Sequence, residues 1–564
     1  MSRPLKKLLI ASTFMASITF AANLPDAGRL LKESAPPPAT FHQQAPPDLH
    51  QQSKPVEPKK DPTKIRVSHF VFTGNTIFSC CELSALMAAY KGKEMTLAEL
   101  EIAASAITHA YKKRGYFLAS VLFPPQTLTQ GGVLIIEVME GILENIHVTT
   151  TPATTKTLKS VLEYYASHLP LNQPLDDASL TSMVMRTNEL PNISSRIMLE
   201  PGSRPGTTKA TLQVTEGNPY SFSLNMDNYG NLTTGENHLS GAMDLYSPLH
   251  LGDQFSLRMQ TSTIGNLQNI QAGYTIPLLS YGTKAGFTYN SVGYQMGGAF
   301  TTLHANGTAR NLGFSLSHAI VRRRDLLLNA TVAAEGSILD DRVESAGSKN
   351  QRLNGSFQVG ISGIETDITH EGGAGSTLFS LGLVTGRLHL RDYETLAIDQ
   401  AATGLHTNGC YTKVNMSLVR NQTLYKGLSL STGAYGQWSN NNLGSSEQLS
   451  LTGASAIRAF QTNEASADRA IVSTVELRYL FPSTGELPGN LELSAFVDHG
   501  YAALHANPMA EAESNSLNLT GAGFGISWFE TGNFSIKSTA AWKIAGESTS
   551  PEGAIVYAKA TKYF

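Results

Sequence analysis

From Tyr220 to the last residue, Phe564, apolar and polar side chains alternate one by one. Phe222, Leu224 and Met226 alternate with Ser221, Ser223 and Asn225; Leu312, Phe314 and Leu316 alternate with Asn311, Gly313 and Ser315; Leu491, Leu493 and Ala495 alternate with Glu492, Ser494 and Phe496. A period of two gives every strand one apolar and one polar face. Sustained over roughly 345 residues, it predicts an all-β transmembrane barrel with lipid outside and water inside. A barrel of sixteen antiparallel strands is compatible with that length at roughly 20 residues per strand and loop. Charged residues make up 15 % of the chain and glycines number 49. These values suit strands that are half apolar and fit a helical membrane protein poorly. A net charge of −3 gives no pull toward nucleic acid.

The first residues predict the compartment. Arg3, Lys6 and Lys7 precede a short apolar run, Leu8 to Phe20, and Thr19 and Ala21 are small residues before a cleavage point. This is the pattern of a secretory signal peptide over residues 1–21, cut after Ala21. Residues 22–34 are expected to be an N-terminal plug segment for the lumen, with Pro25 to Ser34 making one or two helical turns. Residues 35–63 carry eight prolines from Pro36 to Pro62 and form an extended linker. The cysteines are Cys80, Cys81 and Cys410, which show no metal spacing and read as small side chains without chemistry.

Two α+β modules follow, over residues 64–141 and 142–217. In the first, Ile65 to Phe72 is a strand and Glu82 to Tyr90 a helix. Thr96 and Glu99 have capping-box spacing ahead of a second helix, on which Leu100, Ala103, Ala104, Ile107 and Tyr111 share a face. Tyr116 to Pro124 and Val133 to Glu140 are strands. The second repeats the order, with Leu143 to Thr149 as a strand, helices marked by Leu162 and Tyr165 and by Leu180 and Met183, and closing strands Arg196 to Pro201 and Ala210 to Val214.

This arrangement resembles the outer-membrane transporters of two-partner secretion, the haemolysin-activator branch of the Omp85 superfamily. In the first module the resemblance rests on Phe72-x-Gly74-Asn75-Thr76, Tyr111 to Tyr116, Pro124-Pro125-Gln126 and Val138-Met139-Glu140-Gly141. In the second it rests on Leu190-Pro191-Asn192-Ile193 and Pro201 to Thr207, and at the barrel's start on Asp227-Asn228-Tyr229-Gly230. It implies that the modules are POTRA domains hanging in the periplasm of a Gram-negative cell. It also implies that residues 218–564 are the barrel, and that about 438–470 are a long sixth loop folded back into it.

Within that loop, Ala456-Ile457-Arg458-Ala459-Phe460 resembles the family's Val-Arg-Gly-Tyr/Phe tip, and Phe496-Val497-Asp498-His499-Gly500 resembles its Phe-x-Asp-x-Gly strand. The resemblance pairs Arg458 with Asp498 as a gating lock, flanked by Ile457, Phe460, Phe496 and Gly500. Alternation independently puts Asp498 on the lumen side of its strand, with Glu492, Ser494 and Phe496. Two departures stand out: Ala459 where Gly is usual, and Ala467-Asp468-Arg469-Ala470 where a Gly-rich run is usual. If the usual Gly serves a positive φ, Ala459 requires strain or another turn. The terminal Phe564 matches the aromatic end of outer-membrane barrels, with Lys562 at an unusual position.

No Gly-x-Ser-x-Gly elbow, zinc helix or nucleotide loop is present. The reading is therefore no enzyme and no cofactor or metal, but a pore that secretes an unfolded exoprotein without ATP. The implied partners are one large exoprotein (an adhesin, haemolysin or haem-acquisition protein), outer-membrane lipid and the barrel-assembly machinery, with the transporter a monomer that binds no nucleic acid. A barrel-insertion factor and a small-solute porin are the alternatives.

Overall fold

The computed structural model describes residues 25–33, 64–126, 132–152, 157–278, 281–367, 374–481, 485, 488–508, 514–547 and 552–564. The expected signal peptide and proline-rich linker lie outside these residues. Sixteen strands close into one antiparallel barrel, from Tyr220–Asp227 round to Ala554–Tyr563, which pairs back onto the first. Each strand pairs with its sequence neighbours, as an up-and-down barrel requires.

Alternation sorts the side chains as the sequence demands. On the strand Asn490–Ala503, Leu493 and Val497 lie on the outside, while Phe496 and Asp498 are buried within. Phe222, Leu224 and Met226 of the first strand are likewise outward and exposed. Lys562 also points outward, at the rim, and its ammonium reaches Asn533 in the adjacent turn. Such snorkelling lets a lysine sit at a membrane boundary. Phe564 packs beside Phe222, with ring centroids 5.6 Å apart, and donates its N–H to the Phe222 carbonyl.

The first α+β module has a sheet ordered His69–Thr73, Val133–Met139, Ser120–Leu122, the first pair parallel and the second antiparallel. Its helices are Cys80–Leu86 and Leu97–Lys113, each opened by a capping box. The helix expected over Glu82 to Tyr90 therefore starts two residues earlier, at the Ser79 cap, and its end tightens into a 3₁₀ turn, Ala88–Tyr90. The single strand expected over Ile65 to Phe72 is two, because Lys64–Arg66 leaves the sheet to pair with Glu94–Thr96. The strand expected from Tyr116 shortens to Ser120–Leu122.

Motif residues from three places converge in this module. The Glu140 carboxylate accepts from the N–H groups of Thr76 (2.6 Å) and Ile77 (2.9 Å), from the Tyr111 hydroxyl (2.7 Å) and from the Thr76 hydroxyl. Burial opposes its charge, but these donors outweigh that and hold its pKa below the usual carboxylate value.

The second module has strands Ile142–Thr151, Thr207–Glu216 and Ile193–Pro201, with helices Lys159–Ala166 and Asp177–Asn188 packed on them. It docks on the barrel's turns. Arg186 donates to the Ala319 carbonyl at 3.0 Å and lies 4.5 Å over the Tyr281 ring, on which His168 also stacks. Arg322 pairs with Glu189, and Arg324 donates to Asp177 at 2.8 Å. These contacts join the module to the barrel's near end, where both barrel termini lie.

Candidate functional site

At the far end of the barrel, residues 440–468 join the strands Leu428–Ser439 and Arg469–Leu480 and turn inward. Leu451, Ile457, Ala459 and Phe460 of this loop are buried against Val472, Phe496 and Leu519 of the wall. Apolar loop side chains thus fill a lumen lined mostly by polar groups, and burial draws the loop in.

The tip carries one cation, Arg458, whose guanidinium grips the wall. Its Nε and Nη2 donate to the two Asp498 oxygens at 2.8 Å each, and its Nη1 donates to Glu476 at 2.9 Å. Its backbone N–H adds a bond to Asp498 at 3.1 Å, and the Thr474 hydroxyl donates to the same carboxylate at 2.9 Å. The guanidinium lies face-on over Phe496, 3.2 Å from its ring centre. A bidentate fork, a second carboxylate and a stacked ring satisfy the planar cation from every side. Arg478 shares Glu476 at 3.1 Å, so two arginines balance two carboxylates.

Glycines make the fit possible. A Cβ on Gly500 would lie 2.5 Å from Ile457 Cδ1, and one on Gly521 would lie 2.4 Å from the Ala459 methyl. Ala459 is absent from the left-handed backbone positions, which in this tip are Gly453 (φ 119°) and Asn463 (φ 61°). The alanine is therefore unstrained, and its methyl occupies the space Gly521 leaves. The other departure also has a use. Asp468, fully buried, accepts from Leu443 N–H (3.2 Å), Ala506 N–H (3.0 Å) and Gln448 Nε2 (3.0 Å), pinning the loop's base.

A second segment fills the lumen. Helix Ala27–Glu33 lies against the strands Thr283–Gln295, Ala305–Arg322 and Leu326–Val343, with Ala27, Leu30 and Leu31 in an apolar cluster with Val292, Tyr294 and Leu339. Asp341 accepts from the Ala27 N–H at 2.9 Å, and Arg352 bridges Asp341, Asp26 and Ser445 of the loop. Lys32 donates to the Glu447 and Gln448 carbonyls, and Asn463 donates to Glu33 at 2.5 Å. A Cβ on Gly28 would lie 2.8 Å from the Ser446 nitrogen, so helix and loop touch backbone to backbone.

All six residues expected at the lock, Ile457, Arg458, Phe460, Phe496, Asp498 and Gly500, meet here. Glu476 and Thr474 were missed, although alternation along Thr474-Val475-Glu476-Leu477-Arg478 puts them on the lumen face with Arg478. Gly521 and Asn463 left no local signal, and Asp468 showed only as part of a departure whose use was not legible, because each acts through a partner distant in sequence.

The family model described as haemolysin secretion/activation protein ShlB/FhaC/HecB matches residues 206–528, and that of the ShlB-type POTRA domain matches residues 65–141. The heme/hemopexin transporter protein HuxB of Haemophilus influenzae (strain 86-028NP) is 28% identical over 82% of this chain and 80% of its own. The hemolysin transporter protein ShlB of Serratia marcescens is 24% identical over 70% of this chain and 68% of its own. The solved structure of CdiB from Escherichia coli superposes with a TM-score of 0.70, at 23% identity, covering 100% of this chain and 99% of that one. A lumen holding a folded loop and a helix, attached to tandem modules, thus coincides with a matched family model over most of the barrel, and the chain belongs to the ShlB/FhaC/HecB family of haemolysin secretion/activation proteins, the two-partner secretion transporters of the Omp85 superfamily.

Proposed function

We propose that this chain secretes one large partner exoprotein across a Gram-negative outer membrane, with its modules in the periplasm and without ATP. The observation that carries the gating part of this reading is the filled lumen. Loop and helix occupy the barrel without pairing into the strands of its wall, so the path opens when they are displaced. The Arg458–Asp498 lock holds the loop, and helix Ala27–Glu33 is the plug.

Capture falls to the first module. A groove of about 920 Å³ runs between its long helix and the edge strand Ser120–Leu122, lined by Leu97, Ala104, His109, Lys112, Leu122 and Phe123. An open strand edge beside apolar side chains suits an extended segment that adds a strand to the sheet. The partner, of adhesin, haemolysin or haem-acquisition type, then folds outside, and that folding gives direction. No catalytic step is required.

Deleting the gene tests this reading. One exoprotein should accumulate in the periplasm while other outer-membrane barrels assemble normally. A general loss of barrel proteins would instead support an insertion factor.

A further inference from the structure

The lumen has two unlike walls. On the side of the lock, the strands from Arg469–Leu480 to Ala554–Tyr563 turn Glu476, Arg478, Glu492, Lys537 and Lys559 inward, by the same alternation that puts Val475, Leu493, Ile536 and Val556 outside. The facing wall, five neighbouring strands from Thr283–Gln295 to Gly375–Leu390, is almost free of charge.

Helix Ala27–Glu33 sits on the upper row of this second wall, Val292, Ala309 and Leu339, which are register partners on adjoining strands. Asn269, the partner of Val292 on the next strand, is 5% exposed, and its side-chain oxygen has no hydrogen-bond partner among the described residues. The next row toward the periplasm is Asn290, Asn311, Ser337 and Asn354, again register partners, with the Ser337 hydroxyl donating to Asn311 at 2.8 Å. Three more rows lead down to the turns, and in them only Glu335 and Lys284 are charged. Ser315, Ser356 and Gln358 of these rows are half-buried, so this side of the lumen stays open below the helix. At its foot, Lys284 donates to the Glu189 carbonyl of the second module at 2.9 Å. The uncharged wall therefore starts where that module docks and ends under the helix.

We propose that this amide-lined wall is the track of the passenger: the backbone of an extended, unfolded polypeptide runs along Gln358, Asn311 and Asn269, while the charged wall serves the loop. The inference rests on the secretion reading above and adds the route to it. An extended chain carries unpaired N–H and C=O groups. Side-chain amides both donate and accept, so one wall serves either group in any sequence. Lacking charge, it neither traps acidic nor basic stretches, and each contact stays weak enough to be released. The opposite wall, with two arginines and two lysines among its carboxylates, would grip passing charges instead. Withdrawal of the helix then uncovers the Asn269 end and completes the track.

Photo-crosslinking during export tests the track. The probe is the exoprotein that deletion of the gene strands in the periplasm, fused at its C-terminus to a tightly folding domain so that it stalls in the full-length transporter. p-Benzoylphenylalanine is placed at position 315 or 358 on the amide wall, and at position 494 or 527 on the charged wall. Adducts from the amide wall should exceed those from the charged wall by about fivefold or more. Equal yields, or a preference for the charged wall, overturn the track and leave the secretion reading standing. A deletion that strands no exoprotein overturns that reading, and the track with it. Secretion rates give a second measure, with barrel assembly checked by heat-modifiable migration. Asn311→Asp combined with Gln358→Glu keeps the side-chain sizes but charges the track, and should slow secretion about fivefold or more. Ser494→Asp, beside its register partner Arg478, should change it by less than about twofold. Parental secretion by the assembled double variant overturns the track.

Discussion

Arg458 and Asp498 face each other across the lumen wall through two parallel hydrogen bonds of 2.8 Å, and the backbone N–H of Arg458 adds a third to the same carboxylate. Breaking a buried pair of this kind by removing one partner costs roughly 3–5 kcal/mol, because the other charge stays behind. Arg458→Ala and Asp498→Ala should each impair secretion while the barrel still assembles, as judged by heat-modifiable migration on gels. Arg458→Lys keeps the charge but loses the fork and should fall in between. Normal secretion by an Arg458→Ala/Asp498→Ala double variant would show that the pair has no role in gating.

Gly500 and Gly521 leave space for Ile457 and Ala459. Gly500→Val and Gly521→Val should each destabilise the seated loop by about 1–3 kcal/mol through overpacking. Limited proteolysis should then cut within residues 440–468 at a rate well above that of the parent. An unchanged cleavage pattern would place the loop elsewhere.

Gly28 meets Ser446 backbone to backbone. Gly28→Leu should expel helix Ala27–Glu33 and raise the conductance of the protein in planar bilayers. Lys32→Ala, which loses the bonds to Glu447 and Gln448, should do the same to a smaller extent. Parental conductance in both would remove the helix from gating.

Glu140 carries a pH dependence. Its folded pKa lies below its unfolded one, so its stabilising contribution is complete above the unfolded value and is lost as pH falls through the folded value. Protection of residues 72–78 and 134–140 from hydrogen exchange should therefore drop as the pH is taken below about 4. Glu140→Gln should weaken protection already at neutral pH and flatten this dependence. A parallel acid profile in the variant would assign the loss to other carboxylates.

The barrel was legible because a period of two survives any strand length, and the face of Asp498 followed from it directly. The helix Leu97–Lys113 was legible from its cap and from Leu100, Ala103, Ala104, Ile107 and Tyr111, all of them buried. Boundaries were harder. The break between Arg66 and His69 depends on pairing with Glu94–Thr96, which no local pattern announces. The Arg458–Asp498 pair came from motif resemblance, whereas Glu476 needed only the alternation of its own strand. Gly521 and Asp468 serve neighbours 62 and 38 residues away, measured to Ala459 and Ala506, so packing alone exposes them.

The cradle of the lumen helix has a charge pattern with its own consequence. The two wall cations nearest the helix already have counter-ions elsewhere: Arg352 holds Asp341, and Lys413 holds Glu447 at 2.6 Å. Asp26 and Lys32 join pairs that are complete without them. If the helix is the plug proposed above, its withdrawal leaves both of these wall cations paired, as a reusable stopper would require and a seal broken once would not.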